Sequence, residues 1–299
     1  MNKIIQMRTT MKQGDLERLA LDKKPQGLKV LSDINYYGDD DQQHTLDILR
    51  PENNNEKLPV IFHVHGGGFL GGDKDIYDNY CRRLALYGYV VVNCNYGLTP
   101  EHPFPEGILD LVKAMEYVVD RAEEFLLDLT NFNLVGDSAG GNLVVTLGLI
   151  GTNSKYADYY QTNLPIDISA IGASCGLYDL QSLNSAEIPF LAMYLQKNED
   201  AIKEELYRID IFNNLTSSFP RTYLTSCLDD FLYTDNKSLF KVLKKLNVEC
   251  EALFYENDVE SNPLGHVFNY RWIRKDGSLM LEAQETTDKM IEFFRKKIN

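Results

Sequence analysis

The chain has 299 residues, 44% of them hydrophobic, 25% charged and 11% aromatic, with only 10 Pro and 20 Gly. This composition excludes disorder, collagen-like sequence and low complexity, and it supplies apolar material for a large core. Thirty Lys and Arg against 44 Asp and Glu leave a net charge of −14, which repels phosphate backbones and anionic lipid, so nucleic acid and membrane are not expected as partners.

Residues 1–12 scatter Lys3, Gln6, Arg8 and Lys12 among short apolar pairs. No later stretch approaches ~18 uninterrupted apolar residues, so neither an export signal nor a membrane span is expected. From residue 28 onward, apolar or β-branched runs alternate with stretches of helical period, the pattern of a sheet with crossover helices. Strands are predicted at 28–36, 45–49, 59–64, 89–95, 132–135, 166–174, 221–227 and 249–255, and helices at 75–87, 108–125, 138–150, 234–246 and 279–298. The fold class is therefore α/β, with about eight strands that run mostly parallel after the second and an apolar strand 59–64 near the centre. Residues 1–27 and 177–219 fall outside the alternation. A structureless loop as long as the second interval is improbable in a compact domain, and helical pattern around 188–195 and 201–209 marks it as a cap over one end of the sheet. The five cysteines, Cys81, Cys94, Cys175, Cys227 and Cys250, are odd in number and lack metal-like spacing. They read as buried, reduced thiols of a cytoplasmic protein, with no metal site.

The chemistry concentrates in Gly136-Asp137-Ser138-Ala139-Gly140-Gly141, set between an apolar strand and an apolar helix. Gly-x-Ser-x-Gly in that setting is a nucleophile elbow, where a tight turn forces Ser138 out above the sheet edge. His65-Gly66-Gly67-Gly68-Phe69 follows directly on strand 59–64, where glycines can turn backbone N–H groups toward a developing oxyanion. A phosphate loop would need Lys-Ser or Lys-Thr after the glycines, and Phe69-Leu70 stands there instead. Of the five histidines at 44, 63, 65, 102 and 266, only His266 follows Ser138, as the chain order of nucleophile, acid and base requires. The acid should follow strand 221–227, where Asp229 and Asp230 both qualify. Asp235 reads as a first-turn helix residue, and Asp258 and Glu260 as solvated loop carboxylates.

Taken together, the His65–Gly68 and Gly136–Gly141 motifs and the segment Tyr96-Gly97-Leu98-Thr99-Pro100-Glu101-His102-Pro103-Phe104-Pro105 with Asp110 resemble the hormone-sensitive-lipase-like family of α/β-hydrolase carboxylesterases. The resemblance runs in collinear order over roughly residues 55–270. It implies hydrolysis of small-molecule, short-chain acyl esters, no cofactor, a helical cap to which the N-terminal residues 1–27 contribute, and an oxyanion hole from Gly67, Gly68 and Ala139. The family's Asp-x-Leu matches Asp230-Phe231-Leu232, which selects Asp230 as the acid. Phe69 and Leu70, together with Phe190 and Tyr194 of the cap interval, are the expected substrate-binding residues. In one departure, the family's Tyr-Arg-Leu-Ala-Pro-Glu reads here Tyr-Gly-Leu-Thr-Pro-Glu, so Gly97 replaces an Arg that commonly braces this loop. Glu101 and Asp137 are expected to hold the loops beside the elbow. Two rival readings are an amidase or peptidase with the same triad and a ligand-binding protein on a disabled hydrolase; the latter would be expected to lack a triad member.

Overall fold

The computed structural model describes residues 2–180, 193–196, 206–256 and 263–296. Its strands are β1 (Leu28–Asn35), β2 (Thr45–Pro51), β3 (Leu58–Val64), β4 (Val90–Cys94), β5 (Leu127–Asp137), β6 (Ala170–Ser174), β7 (Arg221–Cys227) and β8 (Cys250–Tyr255). They form one sheet in the order β1-β2-β4-β3-β5-β6-β7-β8. The pairs β1·β2 and β2·β4 are antiparallel, and every pairing from β4 through β3 to β8 is parallel. β4 is buried along its whole length, as an interior strand covered on both faces must be.

Two helical layers provide that cover. On one face lie α3 (Glu106–Asp120), α5 (Ala139–Thr152), α6 (Ser154–Tyr160) and α7 (Tyr233–Lys245), whose apolar residues join Val60, Phe62 and Val64 of β3 in the larger core cluster. On the other, α2 (Asp78–Leu86) and α8 (Leu281–Arg295) pack against Ile61 of β3, Val91 of β4 and Val135 of β5. Alternate residues of β3 thus feed opposite layers, as the two-residue period of a strand dictates. The short α4 (Ala122–Phe125) precedes β5, and α1 (Asn2–Leu19) lies at the N-terminus. All five cysteines are buried free thiols.

Three boundaries differ from the sequence expectation for identifiable reasons. β5 begins at Leu127 rather than 132, because Leu58 and Pro59 of β3 pair with Leu127 and Asp128 across a register shift. β6 begins at Ala170 rather than 166, because the Ser169 hydroxyl accepts the Phe132 N–H in place of a ladder carbonyl. The helix expected at 75–87 divides into a 3₁₀ turn, Lys74–Tyr77, and α2. The helical pattern read at 188–195 lies largely outside the described residues, whereas 206–209 are helical.

Candidate active site

β5 ends at Asp137 and α5 starts at Ala139, so Ser138 alone makes the turn. Its backbone sits at φ 51°, ψ −120°, a strained conformation for a residue with a side chain and the mark of a nucleophile elbow. The turn is possible only because its flanks carry no Cβ. One at Gly136 would stand 2.4 Å from Gly140 O, and one at Gly140 would stand 2.2 Å from Val64 O. The Ser138 N–H donates to Ser174 O at 3.0 Å, which ties the elbow to the end of β6.

His266 meets this serine from the loop after β8. Its Nε2 lies 2.9 Å from Ser138 Oγ and its Nδ1 lies 3.0 Å from Asp230 Oδ1. Asp230 Oδ1 also accepts the Leu232 N–H at 2.8 Å, and Oδ2 accepts the Ser226 hydroxyl at 3.3 Å. Burial pushes this carboxyl up, but the bonds from His266, the Cys175 thiol and the Leu232 N–H outweigh it and leave the carboxyl below its ordinary range. A carboxylate kept ionised against an imidazole fixes its tautomer and orientation. Asp229 is exposed, and its Oδ2 accepts the Gly265 N–H at 2.8 Å. Of the two neighbouring acids, Asp230 touches the imidazole and Asp229 anchors the loop that carries it.

The glycine loop after β3 approaches from the other side. Gly67, Gly68 and Phe69 have φ of 126°, 63° and 61°, and a Cβ at Gly67 would stand 2.1 Å from Gly71 O. Gly67 O accepts the N–H groups of Leu70 and Gly71. The loop is held to the elbow through Tyr77, whose hydroxyl accepts the Gly66 N–H at 3.3 Å and donates to Asp137 Oδ2 at 2.8 Å. Burial pushes the Asp137 carboxyl up to about 6. Gly67, Gly68 and Ala139 face one cavity of 660 Å³ together with Ser138 and His266, a volume in the range of small-molecule sites.

A family model described as BD-FAE matches residues 46–225, more than half of the chain. The chain belongs to the BD-FAE family. A putative alpha/beta hydrolase of Acanthamoeba polyphaga mimivirus is 25% identical over 238 residues, covering 76% of this chain and 68% of the relative. Among solved structures, esterase B of Lactobacillus rhamnosis inhibited by a tributyrin phosphonate superposes with a TM-score of 0.87 at 23% identity, over 98% of this chain and 93% of that one. The esterase of Pyrobaculum calidifontis gives 0.73 at 22% identity, over 98% and 93%. The α/β-hydrolase fold read from the sequence is the fold of this BD-FAE member.

The expected substrate-binding residues are placed differently. Phe69 and Leu70 are buried, and Phe69 stacks on Tyr194 with ring centroids 4.0 Å apart. None of the three lines the cavity, and the rings of Phe69 and Tyr194 are buried against each other instead. Phe190, Asp258 and Glu260 lie outside the described residues. The cavity wall is made instead by Thr10, Met11, Gly14 and Asp15 of α1 and by Phe231, Tyr270 and Arg271. Phe231 is 78% exposed, with its ring 4.5 Å from that of His266. It was the open x of Asp-x-Leu, so the motif itself could have singled it out.

The loop at Gly97, which lacks the family's Arg, is braced from elsewhere. Arg8 of α1 donates to Thr99 O at 2.8 Å, to the Glu101 carboxylate at 2.7 and 3.0 Å, and to Leu70 O. One guanidinium thus joins α1, the glycine loop and the 97–105 loop. His63 and His65 are buried, with His63 pushed down to about 3 by burial and bonded to Asn93. Asp235 stands in the first turn of α7 as expected, and it also accepts the N–H groups of Tyr178 and Asp179.

Proposed function

We propose that the protein is a serine carboxylesterase that hydrolyses short-chain acyl esters through an acyl-enzyme. The observation that carries this reading is the unbroken relay from Asp230 through His266 to Ser138, opening on a cavity that both expected oxyanion elements line. In the proposed mechanism His266 Nε2 takes the Ser138 proton as Oγ attacks the ester carbonyl. Asp230 stabilises the imidazolium, and the N–H groups of Gly67, Gly68 and Ala139 receive the oxyanion. The positive end of α5 adds to that stabilisation. His266 then protonates the departing alkoxide and activates the water that releases the acid.

We assign residues 1–27 and 177–219 to a cap on a single α/β-hydrolase domain, a reading supported by the α1 residues on the cavity wall. The related esterases support ester chemistry over amide cleavage. No described helix is long and apolar enough to cross a membrane, and the five free thiols support action in the cytoplasm.

The test is an aryl acetate assay of wild type and Ser138→Ala beside labelling with an alkyl phosphonate. Loss of one triad member costs several orders of magnitude in turnover while leaving the fold intact, and the phosphonate mass adduct should vanish with Ser138. Retention of more than about one per cent of the turnover, or an undiminished adduct in the variant, would overturn the proposal.

A further inference from the structure

Away from the triad, two histidines face each other where the β1–β2 connection meets the loop after β4. His44 closes the 3₁₀ turn Gln42–His44, which Asp41 caps. Its Nδ1 lies 2.6 Å from Asp39 Oδ2. Its Nε2 is buried with no hydrogen-bond partner among the described residues, and stands 3.6 Å from Asp110 Oδ2. His102 Nε2 lies 3.0 Å from Asp41 Oδ2, and its Nδ1 lies 3.5 Å from Glu106 Oε2. The two imidazole centroids are 5.3 Å apart in an edge-to-face arrangement.

We infer that Asp41, His44 and His102 form a binding site for a divalent transition metal of the zinc class, with solvent completing the coordination. The candidate ligand atoms of Asp41, His44 and His102 all lie within 4.8 Å of one another. The ligand atoms of tetrahedral zinc stand about 3.3 Å apart when the bonds are about 2.0–2.1 Å. The observed separation of 3.0 Å between His102 Nε2 and Asp41 Oδ2 is close to that edge.

His44 has a carboxylate behind its Nδ1, Asp39 at 2.6 Å. A metal-bound histidine uses its second nitrogen in this way, which fixes the His44 tautomer with Nε2 free to ligate. Asp41 is prepared as well. Its Oδ1 accepts the Gln43 N–H at 2.8 Å, which leaves Oδ2 turned toward His102. Two imidazole nitrogens with a carboxylate oxygen suit zinc and its neighbours rather than magnesium or calcium. Gly97 makes the room. A Cβ there would stand 2.5 Å from His102 Cγ and 2.6 Å from Asp110 Oδ2. The Asp41 side chain is 37% exposed, which gives the ion an entry from solvent.

Metal entry displaces the proton shared by His102 and Asp41 and joins two segments far apart in sequence. The 97–105 loop continues to Thr99, whose N–H donates to Phe69 O at 3.1 Å directly after the oxyanion glycines. The ion is thus a structural clip behind the glycine loop, and its binding does not depend on the esterase reading.

The experiment is equilibrium dialysis of the full chain, stripped with chelator, against zinc ion alone, with cobalt(II) absorption as a second readout. We expect uptake of about one zinc per chain, a four-coordinate cobalt spectrum, and a rise in Tm on loading. Asp39→Asn leaves every ligand in place and should weaken zinc binding by about 10–100-fold. His102→Ala and His44→Asn should abolish the uptake. His266→Ala and Cys175→Ser should leave it unchanged, which separates this site from the Cys175, Asp230 and His266 group at the triad. Uptake below about a tenth of an ion per chain in the wild type, or uptake that survives both His44→Asn and His102→Ala, would overturn the inference.

Discussion

The Asp229 carboxylate accepts the backbone N–H of Gly265 at 2.8 Å, one residue before the histidine that Asp230 holds. Two consecutive acids therefore act on one loop at different points. Asp229 fixes where the chain runs, and Asp230 fixes how the imidazole stands. Asp230→Asn presents an amide to His266 Nδ1 and favours the wrong tautomer, for which a loss of about four orders of magnitude in kcat is known from another triad. Asp229→Asn keeps an oxygen that can accept from Gly265, so kcat/KM on an aryl acetate should stay within about threefold of wild type. Equal losses in the two variants would remove the distinction.

Arg8 supports a second prediction. Its guanidinium reaches Thr99 O, Leu70 O and the Glu101 carboxylate together, a fork that a lysine ammonium cannot reproduce. The Glu101 side chain is 55% exposed, so the ion pair alone contributes little. The effect should instead come from α1, which carries Thr10, Met11, Gly14 and Asp15 to the cavity wall. For Arg8→Ala we expect KM to rise by about three- to tenfold with kcat nearly unchanged, and protease cleavage within the first 19 residues to accelerate. Arg8→Lys should recover little of either. A variant with unaltered KM and proteolysis would show that Arg8 does not hold the helix in place.

Much of this is legible in the sequence, and what is not has a common cause. Strands such as 221–227 and the elbow around Ser138 declare themselves because their signals are local: apolar runs, and glycines where a turn admits no Cβ. Asp229 and Asp230 could not be separated by local reading, since one bond to Gly265 and one to His266 each span 36 positions. Phe69 was misplaced for a similar reason. Its ring stacks on Tyr194, 125 positions away, a contact that residue type does not encode. The pairing of His44 with His102 joins segments that share no motif.

Asp137 gives a pH dependence of defined sign. Burial raises its carboxyl from 3.8 to about 6, so across about pH 4–6 the native state holds a proton that the unfolded chain releases. Stability contributed by this group is full below about pH 4 and is lost as the pH rises through about 6, by roughly 3 kcal/mol in total. Asp137→Asn never ionises, and its amide oxygen can still accept from Tyr77. Urea unfolding at about pH 4 and about pH 7 should show the variant gaining on wild type by about 2–3 kcal/mol between the two conditions. A difference independent of pH would show that this carboxyl does not titrate on folding.

The last prediction concerns acyl length. Phe69 and Tyr194 pack into the space behind the glycine loop, where only about 10 Å³ remains between Phe69, Tyr96, Leu143 and Tyr194. That is about the room of one water molecule, too little for a methylene chain. A long acyl group therefore finds no tunnel there and must share the 660 Å³ cavity with the alcohol portion. Were a tunnel present, each added methylene would contribute about 0.8 kcal/mol, and kcat/KM would climb from two carbons to eight. With the space behind the loop filled, kcat/KM should peak at two to about four carbons and then fall. The measurement is kcat/KM on aryl esters of about two to ten carbons, each below its micelle limit. Phe69→Ala adds a decisive arm. It opens room beside Tyr194 and should move the optimum to longer chains, whereas a wild-type optimum at about eight carbons would show that the acyl group has a route these residues do not block.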